Sequence, residues 1–292
     1  MGFRQALESG KFVVTAEVGP LKGTDTSEVN EVAELLKDKV DGANVTDQQS
    51  AVMRLGSLVT SYLCIQKGLD PIYQLTCRDR NRIALQSDLL SAHVLGVRNV
   101  LALTGDFPTF GDHPDAKEVY DLDSVQLVWT IKRMNEGYDI AGNELQGKTD
   151  FFIGAVVTPY TDTEEAFELQ LIKMEKKIEA GARFFQTQAI YDVDVFEKFM
   201  KRAEKFGVPV LAGIIPLKSV GMARYMNKNV AGVFVPDHLI DELKRSDDKL
   251  AKGLEIAARL IKDVKDLCQG VHIMAIGMEK KVPEILELAG LA

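Results

Sequence analysis

The chain reads as an α/β protein, a closed (β/α)8 barrel of the TIM type with an elaborated final βα unit. Three observations predict it. Eight short apolar, β-branched segments alternate with stretches of helical period. The 292 residues suit eight such units. No Pro-, Gly- or Ser-rich linker divides the sequence, so 1–292 is expected to form one barrel domain. A doubly wound sheet would stop at fewer strands or add a distinct second domain.

The first unit pairs a buried strand over 11–18 with an amphipathic helix near 27–38, with Thr26-Ser27 as a plausible cap. The pattern recurs as strands at 42–46, 72–77 and 97–104, each followed by a helix, near 52–67, 81–95 and 123–136. Later strands fall at 151–157, 184–188, 208–214 and 271–276, with helices near 162–180, 193–206, 238–266 and 279–289. Between the last two strands lies a short apolar piece, 230–235, before Pro236-Asp237 opens the next helix.

Composition narrows the function classes. A net charge of −8 spread over the chain argues against a nucleic-acid footprint. Apolar runs fall short of the roughly 20 residues a membrane-spanning helix needs, and the start Met1-Gly2-Phe3-Arg4-Gln5 lacks a signal-type apolar segment, so a soluble cytoplasmic protein is expected. Cys64, Cys77 and Cys268 suit reduced thiols in the core, and neither they nor His93, His113, His238 and His272 show metal-ligand spacing. No glycine-rich dinucleotide fingerprint or P-loop occurs.

In a parallel barrel, ligands bind at the C-terminal ends of the strands. Polar residues collect there: Glu17, Thr46-Asp47, Thr76-Cys77-Arg78-Asp79, Thr104-Gly105-Asp106 and Thr187-Gln188. Glu17 interrupts an apolar run, which marks it either as a general acid or as one half of an ion pair. Gly105 permits close backbone approach to a flat ring, and Asp106 places an acid beside it, although Asp after Gly is also a common turn residue. Gln186 and Gln188 share one strand face, and an amide there suits a pterin-like edge as well as an interior hydrogen bond. Asp192 is expected to cap a helix. Lys173, Lys176 and Lys177 near a helix C-terminus are ordinarily solvated. Tyr160, Tyr191 and Tyr225 could stack on a ligand or simply pack.

Several separated motifs carry a resemblance over nearly the whole chain. Val14-Thr15-Ala16-Glu17, Leu75 to Asn81, Leu85 to Leu90, Asn99 to Asp106, Thr187-Gln188 and Val271 to Gly277 together resemble methylenetetrahydrofolate reductases, in particular the acetogen branch and the reductase domain of fused homocysteine methyltransferase-reductases. The resemblance implies FAD over the barrel mouth and reduction of 5,10-methylenetetrahydrofolate to 5-methyltetrahydrofolate. It makes Glu17 the general acid for opening the folate imidazolidine ring. Asp106 becomes the group between flavin and folate, and Gln188 the pterin ligand; Glu17 and Asp106 also contact substrate. FAD contacts are implied at Thr46, Asp47, Gln74, Thr104, Gly105, Asp106, Asp123, Ser124, Val156 and Thr158, with Gln170, Lys173, Lys176 and Lys177 along its ribityl, diphosphate or adenine portions.

The chain departs from the familiar pattern at Val18-Gly19-Pro20, where Phe-Phe-Pro is usual, at Val220, where an aromatic is common, and at Gly277-Met278, where an Arg is expected. These positions bear on donor and folate-tail recognition. NAD(P)H could reduce the flavin, or a zinc- or iron-sulfur-bearing partner subunit could, within a homo-oligomer or hetero-complex. The alternatives are a flavin-binding interaction subunit without turnover, or an unrelated barrel lyase or aldolase.

Overall fold

The computed structural model describes residues 1–291. Eight parallel strands, β1 (Val13–Val18), β2 (Gly42–Val45), β3 (Pro71–Thr76), β4 (Asn99–Leu103), β5 (Phe152–Val157), β6 (Phe184–Ala189), β7 (Val210–Ile214) and β8 (Gly270–Ile273), pair in chain order, and β8 closes on β1. These are the eight strands the apolar pattern marks. Helices α1 (Phe3–Glu8), α2 (Ser27–Leu36), α3 (Ser57–Gln66), α4 (Arg82–Val94), α5 (Ser124–Glu136), α6 (Glu164–Ala180), α7 (Val193–Ala203), α8 (Val220–Asn229), α9 (Asp237–Arg245), α10 (Lys249–Val264) and α11 (Val282–Ala289) complete the fold.

The helical expectations need correction in four places. The helix expected from 52 starts only at Ser57, because Gln48, Ser50 and Ala51 adopt left-handed backbone and hold the preceding loop in a tight turn. The helix expected over 238–266 breaks at Ser246, whose ψ of 142° is extended, and Asp248 recaps the chain by accepting from Ala251 N. The last helix starts at Val282, after a single 3-10 turn at Glu279–Lys281. Helices α1 and α8 were not anticipated; Ser219 caps α8 by accepting from Met222 N.

Strand alternation divides the core into two compartments. Outward-facing Ala16, Val18, Val45, Tyr73, Leu75, Val100 and Ala102 pack beneath the helices. Inside the barrel, Val13, Ile72, Leu101, Phe152, Phe184 and Leu211 form a dry lower layer, which α1 plugs with Phe3, Ala6 and Leu7. Phe3 meets Phe184 edge-on with ring centroids 5.1 Å apart, and Phe152 stacks on Phe184 at the same spacing. Gly154 leaves room for that stack, since a Cβ there would lie 2.2 Å from Phe184 Cζ. Above this layer the interior turns polar.

Candidate active site

The polar layer forms a connected row. Asn44 and Gln186 exchange amide hydrogen bonds across the barrel (2.7 and 3.0 Å), and Gln186 Nε2 also donates to Thr15 Oγ1 at 3.4 Å. Thr15 Oγ1 lies 2.9 Å from His272 Nδ1. The other imidazole nitrogen, Nε2, faces Glu17 Oε1 at 3.9 Å. Glu17 is 5% exposed and lines a cavity of about 320 Å³ with Thr46, Arg54, Glu28, Ile276 and Glu279. The carboxyl therefore stands at the top of a hydrogen-bonded interior and at the floor of an open space. Gln188 ends the same strand face as Gln186 and is half-buried. Thr187 turns away from the mouth, donating to the Gln188 carbonyl at 2.7 Å and accepting from Gly213 N.

The turn after β4 is fixed by contacts that short-range sequence patterns do not reveal. Gly105 has φ +94°, and a Cβ there would lie 3.1 Å from both Thr76 Cβ and Arg78 Cβ. Tyr120 Oη donates to the carbonyls of Gly105 and Asp106 at 3.2 Å each, and Arg78 Nη1 donates to the Asp106 carbonyl at 3.3 Å. Arg78 is anchored in turn by Asp79. The Thr104 and Asp106 side chains remain exposed at the mouth. Tyr120 and Arg78 thus aim the turn without occupying it.

Asp112 ties this segment to its neighbours. It accepts from Met53 N at 3.0 Å, pairs with Lys22 and lies 2.9 Å from His113 Nδ1. Lys22, then His113 and Met53 N, hold its carboxyl well below the usual carboxylate range. The loops after β1, β2 and β4 are joined at this one side chain.

The other expected ligand contacts fall into unlike environments. Gln74 is half-buried on the inward face of β3, and Val156 packs against the interior apolar layer at the top of β5. Thr46 Oγ1 is buried without a partner. The methyl of Thr158 abuts Gly232, in the apolar piece after α8, which also stacks Phe234 on Tyr160 at 5.2 Å. Asp47 is fully engaged: it accepts from Thr76 N and Oγ1 at 2.9 Å, from Ser57 Oγ at 3.3 Å and from both Arg80 terminal nitrogens. Its carboxylate therefore locks β2 to β3.

Asp123 caps α5 in a capping box with Gln126, and Ser124 is buried behind it. On α6, Gln170 is half-buried and Lys173 exposed, whereas Lys176 lies in solvent bonded to Glu179 at 2.8 Å. Lys177 differs from both. It is buried, donates only to the Val156 carbonyl at 2.8 Å, and is pushed down to about 8 by burial and then by Lys173. Among the tyrosines, Tyr191 is a packing residue, its hydroxyl bonded to the Ile215 carbonyl at 2.7 Å, and Asp192 caps α7.

Comparison with known proteins follows the same outline. A Caenorhabditis elegans probable methylenetetrahydrofolate reductase (NADPH) is 25% identical over 259 residues, which is 86% of this chain and 36% of that protein. Methylenetetrahydrofolate reductase 2 of Schizosaccharomyces pombe is 29% identical over 234 residues, 74% of this chain and 35% of that one. The chain spans about a third of the length of these relatives. Among solved structures, an uncharacterised Clostridium thermocellum protein described as binding two copies of 5-methyl-5,6,7,8-tetrahydrofolic acid superposes with a TM-score of 0.67. That match covers 98% of this chain and 97% of the other at 15% identity, a likeness of fold. The sequence model of the family Methylenetetrahydrofolate reductase matches residues 2–290, and the chain belongs to that family.

Proposed function

We propose that the chain catalyses the flavin-dependent reduction of 5,10-methylenetetrahydrofolate to 5-methyltetrahydrofolate. The observation that carries this reading is the buried Glu17, backed by His272 and Thr15, lining an open cavity at the C-terminal end of the barrel strands, the end at which β4 leads into Asp106 and β6 carries Gln188. A carboxyl so placed can deliver a proton to a substrate nitrogen. Asp106 supplies negative charge where the opened folate carries an iminium cation. Gln188 offers both a donor and an acceptor to the pterin edge.

The residues present fit FAD. The unpartnered Thr46 hydroxyl and the singly bonded Lys177 ammonium are polar features that the protein leaves unsatisfied on their own. Gln74, Thr104, Gly105, Asp106, Val156 and Thr158 would border the ring, and Ser124, Gln170, Lys173 and Lys177 would follow the ribityl and phosphate portions. Asp47 and Asp123 would act by holding their loops, and Lys176 lies too far into solvent to be a main contact. Bound there, FAD supplies the hydride that the one-carbon unit receives. Its reductant is NAD(P)H or a partner electron-transfer subunit.

The test is anaerobic. Chain loaded with FAD and chemically reduced is mixed with 5,10-methylenetetrahydrofolate, and the return of the oxidised flavin spectrum together with 5-methyltetrahydrofolate is expected. Loaded flavin that stays reduced would leave a flavin-binding interaction subunit, and a chain that takes up no FAD would overturn the proposal altogether.

A further inference from the structure

His272 and Glu17 share the inner face of the barrel on neighbouring strands. β8 pairs with β1 so that His272 lies opposite Thr15, and Glu17 follows Thr15 by two residues on the same face, one step nearer the mouth. His272 is 3% exposed. Its two ring nitrogens meet different partners, Thr15 Oγ1 at 2.9 Å from Nδ1 and Glu17 Oε1 at 3.9 Å from Nε2. Glu17 itself forms no hydrogen bond among the described residues.

The surrounding network selects the imidazole tautomer. Gln186 Nε2 donates to Thr15 Oγ1, so the hydroxyl passes its own proton onward to one of two acceptors, His272 Nδ1 at 2.9 Å or the Val271 carbonyl at 3.4 Å. The shorter contact makes Nδ1 the acceptor. A neutral ring then carries its proton on Nε2, where it faces the Glu17 carboxyl. Their separation is too long for a hydrogen bond and too short to admit a water, so a small shift of the carboxyl toward the ring closes it.

We infer that His272 is a positioning residue that acts through Glu17, its Nε2–H holding the carboxylate that remains once Glu17 has given up its proton; the inference rests on the reading of Glu17 as the acid. In that step the carboxyl O–H bond breaks, an N–H bond forms on the substrate, and a negative charge is left on a buried side chain. Such a charge is costly without a donor, and His272 supplies one from the strand beneath. His272 does not replenish the proton. Behind it stand Thr15, Asn44 and Gln186, all buried, and the two amides have no proton to relay. The proton returns instead from the cavity, where Arg54, Glu28 and Glu279 are the other charged groups around Glu17.

Two measurements on the FAD-loaded full chain test this. The first is a long-range proton–nitrogen correlation spectrum of protein labelled in its histidine rings, with His272 assigned by the signals lost in His272→Asn. A ring protonated at Nε2 alone is expected, and one protonated at Nδ1, or at both nitrogens, overturns the assignment. The second is anaerobic stopped flow of the reduced flavin with 5,10-methylenetetrahydrofolate. His272→Asn keeps a polar group near Nδ1 but has no atom at Nε2, and it should slow the limiting rate about ten- to hundredfold, with half-saturating concentration and FAD content unchanged. His272→Gln carries an amide N–H near Nε2 and should restore most of the rate. In a Glu17→Gln chain the Asn substitution should add no further loss, since no charge is left to hold. Thr15→Val keeps the ring but releases its tautomer; it should slow the reaction in the same direction, and it decides the matter if His272→Asn does not fold. An unchanged rate, equal losses in the Asn and Gln variants, or a loss that persists in the Glu17→Gln chain would overturn the inference. A Glu17→Gln chain as fast as wild type would instead overturn the reading of Glu17 as the acid, a distinct result.

Discussion

Replacing Lys177 by methionine is expected to make the cofactor-free chain more stable at pH 7 while weakening its hold on FAD. The side chain, on α6, is buried against the end of β5 with one hydrogen bond, and burial, then the nearby Lys173, lowers it from the ordinary 10.5 to about 8. That interval is worth about 3 kcal/mol, at about 1.4 kcal/mol per pH unit. Between pH 8 and 10.5 the unfolded chain binds more protons than the native one, so stability rises with pH across this window. Below about 8 the whole cost of the buried charge is present. Methionine removes it but forfeits the bond to the Val156 carbonyl, about 1 kcal/mol, which leaves a net gain of roughly 1–2 kcal/mol at pH 7.

Urea unfolding followed by far-ultraviolet circular dichroism, for both chains at pH 7 and pH 10.5, checks this directly. The advantage of Lys177→Met should vanish at the higher pH. A variant less stable than wild type at pH 7, or a difference that does not change with pH, would refute the reasoning. FAD titration at pH 7 should show at least about a tenfold loss of affinity, the size of a charge-assisted hydrogen bond to phosphate. Wild-type affinity should also fall as pH rises through 8, whereas the variant's should not.

Three further outcomes follow from the mouth. Glu17→Gln should keep FAD and its reduction by dithionite yet slow flavin reoxidation by methylenetetrahydrofolate about a hundredfold or more, measured by anaerobic stopped flow; unchanged turnover would remove Glu17 from the acid role. Gly105→Ala forces a Cβ onto a φ of +94° with 3.1 Å contacts to Thr76 and Arg78, so a loss of about 1–3 kcal/mol in chemical unfolding and weaker FAD binding are expected. Tyr120→Phe releases the Gly105 and Asp106 carbonyls with little change in volume; it should lower FAD affinity more than global stability, and equal effects on both would make Tyr120 a packing residue only.

How much of this was legible in the sequence depends on the range of the interaction. Strand positions were readable because an apolar β-branched run is a local signal, and Glu17 and Gln188 were readable because they break such runs at strand ends. The break at Ser246 was also local: Ser246-Asp247-Asp248 is a cap signal that the helical period on either side obscured. Helix α1 was missed because its six residues are too few to show a period, and its role as a plug depends on Phe152 and Phe184, distant in the chain. Tyr120 was missed for a similar reason: it reaches Asp106 from across a long loop. Asp47 was seen at a strand end, but only the fold reveals that Arg80, Thr76 and Ser57 consume its carboxylate. Lys176 and Lys177 are adjacent in sequence, yet Lys177 alone lies beside the buried stripe of Phe167, Leu171 and Met174.

The distribution of satisfied and unsatisfied polar groups explains why chemistry belongs at one end of this barrel. The lower interior is apolar and closed by interlocked phenyl rings, so it tolerates no polar ligand. The next layer is polar but internally satisfied through Asn44, Gln186, Thr15 and His272, and a satisfied buried network is rigid and has little to gain from a ligand. Five buried polar side-chain atoms among the described residues lack partners, and two of them, Thr46 Oγ1 and Arg54 Nε, belong to residues lining the cavity above Glu17. Burying a donor or acceptor unpaired costs about 1–3 kcal/mol, a cost that a ligand bringing the missing partner removes. Glu17 stands where the satisfied network ends and the unsatisfied space begins. On the proposed reading, a substrate settling there would complete the polar groups the fold left open and meet a carboxyl whose position the layers beneath have already fixed.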